Sequence, residues 1–146
     1  MSYRSILGVL VLWAAVSAQE PDTGLKAFIG NWEGTGRFYN VKLADQMGPV
    51  SFELTITEDL TVTGSIGDSQ LLPATLEVDE WNKGFTAECR IQGNPFSDKR
   101  FHKKYVILLL RPVEGDEISG SDFHMKNNLF FDFSMRVGGM DLKRVP

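Results

Sequence analysis

The chain has 146 residues, 42% of them hydrophobic, and 19 acids against 15 Lys and Arg give it a formal charge of −4. That modest acidity lacks the basic footprint of a nucleic-acid binder or of a protein drawn to acidic membranes. Cys89 is the single cysteine, so no internal disulfide is possible and a folded domain must rely on its core.

Residues 1–18 are predicted to be an export signal: Arg4, an apolar run over residues 6–16, and Val16-Ser17-Ala18 ahead of Gln19. The run is short for a membrane span, so no stable membrane insertion is expected after cleavage. The mature chain, residues 19–146, is expected to be one secreted or periplasmic domain. With no Cys near the cleavage point, a lipid anchor is not expected.

Residues 25–29 read as a short helical lead. In the strand after it, Gly30, Trp32, Gly34, Gly36 and Phe38 share one face, because strand side chains alternate with period two. Glycines permit sharp bending and remove volume, while Trp32 stoppers one end. Residues 40–49 are too short for two helices, and Gly48-Pro49 reads as a turn.

Val50, Phe52, Leu54 and Ile56 then alternate with polar residues, and Leu60, Val62 and Ile66 continue after Glu58-Asp59. The short connection predicts an antiparallel hairpin. Gly67-Asp68-Ser69 reads as a turn rather than a hydrolase nucleophile block, since these are ordinary turn formers and no parallel α/β scaffold surrounds them. Leu72, Ala74, Leu76 and Val78 are read as one apolar face. Asn82-Lys83-Gly84 turns the chain onto Phe85, Ala87, Cys89 and Ile91, with the Cys89 thiol simply buried.

Lys99-Arg100-Phe101-His102-Lys103-Lys104 reads as a solvated basic loop. Residues 105–110 are apolar on both faces, which predicts cover on the outside as well, assigned to the lead helix. Strands are expected over residues 117–125, 129–137 and 140–145, with Leu129, Phe131, Phe133 and Met135 on one face, for nine in all and no internal repeat.

Gly30-x-Trp32 at the start of the first strand resembles the lipocalin and calycin signature. Ser121-Asp122-Phe123 resembles that group's later Thr-Asp-Tyr-like block, and Arg144 its arginine near the last strand, with Arg136 a competing candidate. The resemblance implies an antiparallel up-and-down β-barrel of eight to ten strands, closed at one end by the arginine packed across Trp32, with Gly30 part of that closure. Intracellular fatty-acid-binding proteins, in the same superfamily, carry a helix-turn-helix lid for which residues 40–49 have no room.

Small barrels either fill or hold one small ligand. The expected function is binding a small apolar or amphipathic molecule against Phe38, Phe52, Leu54, Leu76, Phe131 and Phe133. A structural or protein-interaction barrel with a filled interior is the first alternative. An enzyme using Asp122 and His124 as an acid/base pair is the second. No cofactor or metal site is predicted, because Asp122 and His124 supply only two ligands and His102 lies in another loop.

Overall fold

The computed structural model describes residues 24–93, 103–127 and 138–146. The expected export signal, the strand over residues 129–137 with Phe131 and Phe133, and Lys99 to His102 of the basic loop lie outside these.

A single 3₁₀ turn, Leu25–Phe28, leads into β1 (Gly30–Phe38). One helix, α1 (Val41–Met47), fills the segment read as too short for two and ends just before Gly48-Pro49, and Asn40 caps it by accepting the Leu43 N–H at 3.2 Å. β2 (Val50–Ile56), β3 (Thr61–Ile66), β4 (Ser69–Thr75), β5 (Glu77–Asp79) and β6 (Gly84–Gln92) come next. Then come β7 (Tyr105–Leu110), β8 (Glu117–Lys126) and β9 (Gly138–Val145).

The strands pair antiparallel as β4-β3-β2-β1-β9-β8-β7-β6, and β4 pairs with β6 to close the ring. The described residues thus form an eight-stranded, up-and-down barrel, with β5 a short continuation of β4 along β6. β8 pairs directly with β9, Phe123 opposite Gly138, and β9 with β1, Phe38 opposite Gly138.

Alternation turns one face of every strand inward. In β2 the sequence VSFELTI reads buried, exposed, buried throughout, and each large apolar side chain removed from water contributes roughly 1.5–3 kcal/mol before conformational entropy is counted. The turns at residues 57–60, 80–83 and 111–116 gather at one end with the lead turn. The other end, the mouth, carries α1.

Three expectations need correction. Leu72 and Val78 point outward, 36% and 42% exposed, whereas Leu71 and Leu76 are buried. The register between β3 and β4 shifts between Val62 and Gly64, and such a bulge flips the facing of the residues beyond it. Ser69 is not in a turn but opens β4 with its side chain buried. Nor does the lead turn cover β7 from outside: its Phe28 is fully buried in the interior core and meets Phe85 edge-on, ring centroids 4.6 Å apart. Ile107 and Leu109 remain half-buried on the outer surface.

Candidate functional site

At the end opposite the mouth, Trp32 is 1% exposed and the guanidinium carbon of Arg144 lies 4.3 Å from its ring centroid. The two residues are cross-strand partners, which fixes the approach. Trp32 Nε1 donates to the Phe28 carbonyl at 2.7 Å. Arg144 donates from its two terminal nitrogens to Ile29 at 2.6 Å and Ala27 at 2.8 Å, and from Nε to Asp116 at 3.2 Å. Three successive carbonyls of the lead turn are thereby satisfied by one ring and one guanidinium. Gly30 sits under this contact with φ +136, and a Cβ there would come within 2.8 Å of the guanidinium, so only glycine suits both its backbone and the space.

Toward the mouth, Phe38, Phe52 and Phe123 form an aromatic cluster along β1, β2 and β8, with centroid separations of 5.8 Å (Phe38 to Phe123) and 5.1 Å (Phe52 to Phe123). The volume left by Gly36 is taken by this cluster, since a Cβ would lie 2.8 Å from Phe123 and 3.0 Å from Phe52. Gly34 is tighter still: its Cβ would fall 1.9 Å from the Asp141 carbonyl oxygen. These two glycines let neighbouring chain pack close, so the volume they remove is taken up by backbone and rings. Across the interior, β6 and β7 present the smaller Ala87, Cys89 and Val106, all buried. Burial with Glu88 nearby pushes the Cys89 thiol up to about 12, which makes it unreactive at neutral pH.

Of the predicted ligand-contacting residues, Phe38 and Phe52 lie in the aromatic cluster, while Leu54 and Leu76 pack in the core, both 2% exposed or less. Leu54 pairs with Trp32 and so belongs to the closed end.

The second motif block divides between the two faces of β8. The Ser121 hydroxyl, buried, accepts the Arg111 N–H at 2.9 Å, and Phe123 joins the aromatic cluster. Asp122 lies on the outer face and accepts a hydrogen bond from the Tyr39 hydroxyl. Tyr39 reaches it across β9, where Gly139 has no side chain in its path. His124 shares that outer face with Lys126, whose ammonium meets Glu88 at 2.5 Å across β7. Asp122 and His124 therefore point away from the barrel interior, and among the described residues no group of three or more His, Cys, Asp or Glu could hold a metal ion.

Sequence reasoning missed α1, although an Asn before a short apolar-polar run is a capping signal. It also missed Tyr39 as the partner of Asp122, a contact between residues 83 apart that no local pattern announces. Comparison with known proteins gives no match to a family model, a curated protein or a solved structure.

Proposed function

We propose that this chain is an exported barrel that holds one small apolar or amphipathic molecule in its mouth half, between the aromatic wall of Phe38, Phe52 and Phe123 and the small-residue wall of Ala87, Cys89 and Val106. The observation that carries this reading is the asymmetry of the lining. The three rings pack on one another along one wall, at 5.1 and 5.8 Å, while β6 and β7 offer small side chains opposite. A wall of rings packed edge-on and tilted, at 69° and 58°, facing small side chains suits a slender apolar chain or ring, and apolar burial supplies the affinity. Export rests on the signal expected over residues 1–18.

The filled barrel is favoured by a different observation, the occupation of the Gly36 gap by Phe123 and Phe52. One experiment separates the two. A fatty acid bearing an environment-sensitive fluorophore is titrated into wild type and Ala87→Leu. A ligand chamber predicts saturable binding near one per chain that Ala87→Leu abolishes with little loss of stability. A filled barrel predicts no saturable binding and an overpacking cost of about 1–3 kcal/mol in Ala87→Leu.

A further inference from the structure

We infer that the barrel wall opens at the seam between β4 and β6, and that this seam, rather than the mouth, is the route by which an apolar molecule reaches the interior beside Ala87 and Cys89. Pairing across the seam covers Gln70 with Gln92 and Leu71 with Ile91, then stops. It resumes at Glu77 with Thr86. From Leu71 to Glu77 is one residue more than from Thr86 to Ile91, so one residue of the β4 side has no counterpart and the strand must bow there.

The other edge of β4 is no better tied at the same height. Its pairing with β3 runs from Ala74 directly to Leu71, passing over Leu72 and Pro73, and Pro73 has no N–H to give to either neighbour. On β6 the Ile91 N–H goes to Lys104 on the far side, at 2.7 Å. Alternation along an antiparallel strand then aims the N–H and C=O of Glu88 and Arg90 at β4, in the interval where no β4 residue is in register with them.

Inside this interval lie two small side chains, Ala87 and Cys89, at 1% and 0% exposure. Outside it is an open cleft of about 450 Å³ lined by Pro73, Ala74, Thr75, Glu88 and Ile107 among others. The wall is thus thinnest where its ladder is interrupted. The β4–β6 pairing itself holds two register pairs, against five to eight for the other neighbouring strands of the ring, and locally weak segments open well below the free energy of global unfolding. Ile107 gives the outer side of the route an apolar surface, and Ala74, which packs against the core, continues it inward. The use of the seam rests on the ligand-binding reading, while its opening can be measured without any ligand.

The test is the labelling of buried thiols by a neutral aromatic disulfide reagent. Cys89 in the wild-type chain reports on the seam. In a Cys89→Ala background, Val50→Cys, a conservative change at a buried position beside the mouth on β2, reports on the mouth. The expected result is that Cys89 reacts at least tenfold faster than Val50→Cys, at a rate nearly independent of low denaturant. Equal rates at the two positions, or Cys89 labelling that rises with the full denaturant dependence of global unfolding, would overturn the seam. The wild-type denaturant series tests local opening even if the variant does not fold. Binding of the fluorescent fatty acid with equal labelling rates rejects the seam alone, and seam opening without binding rejects the ligand.

Discussion

Arg144 and Trp32 face each other across β9 and β1, 4.3 Å from guanidinium carbon to ring centroid, and between them they take the carbonyls of Ala27, Phe28 and Ile29. The contact is both a stopper for the barrel and a clamp on the lead turn, which brings Phe28 into the core against Phe85.

Trp32→Ala should therefore cost about 3–5 kcal/mol, from the cavity and the lost packing. Arg144→Ala should cost less, roughly 1–3 kcal/mol, because part of the side chain is solvated and water replaces some of its bonds. Arg144→Lys should recover only part of this, since an ammonium cannot reach two carbonyls and an acid in the fixed fork of a guanidinium. Denaturant melts followed by far-UV circular dichroism give all three values.

Gly34→Ala should be among the most damaging small substitutions in the chain, since the added methyl would overlap the Asp141 carbonyl, a backbone group that cannot turn aside. At Gly36 the blocking groups are two rings and the Gly139 carbonyl, so Gly36→Leu should lose about 1–3 kcal/mol or more by overpacking. Gly48→Ala, with nothing within 4 Å, carries only the backbone strain of φ 67 with ψ −165, a glycine-only conformation, about 1–3 kcal/mol. The order of midpoints in urea melts, Gly48→Ala highest and Gly34→Ala lowest, checks the packing.

The alternation of β2 and β6 made the barrel legible, because an inward-outward period of two survives any detail of twist or tilt. The contact at the closed end was expected only through the motif resemblance of Gly30, Trp32 and Arg144, with Arg136 competing, and the structure lays Arg144 4.3 Å over the Trp32 ring. Local slippage escaped: Leu71 and Leu72 are equally apolar, and only Pro73 hinted that the strand bulges and changes face. The meaning of Gly34 and Gly36 was ambiguous for a related reason. A glycine records that a side chain is missing, and whether the space is empty depends on a ring from residue 123, far along the chain.

The Cys89 thiol gives a pH dependence of definite sign. Its folded value, about 12, stands above the 9.0 of a free thiol, so the folded state prefers the protonated form. That preference costs nothing below the unfolded value, and stability is lost progressively as pH rises from about 9 toward about 12, at up to about 1.4 kcal/mol per pH unit. Melts at pH 8, 9 and 10 should therefore show wild type falling faster than Cys89→Ala, the variant cancelling the contribution of every other titrating group.

Tyr39 bridges from the end of β1 to Asp122 on β8 over the bare backbone of Gly139. Tyr39→Phe should cost about 0.5–1.5 kcal/mol, the net worth of one hydrogen bond, since this one is exposed to solvent. Gly139→Val should cost more, because a branched side chain would displace the ring as well as the bond. A double-mutant cycle with Asp122→Asn should show coupling in the first case, read from thermal melts.

The central claim, that the mouth half of the barrel holds a small apolar molecule, is tested most directly by a native mass spectrum of the protein purified from its source. The expected result is a population heavier than the bare chain by one small-molecule mass, released as a neutral or singly charged species on gentle activation, and absent from Ala87→Leu prepared in the same way. A spectrum of bare chain alone, in wild type and variant alike, would contradict it and leave the filled barrel as the account of this fold.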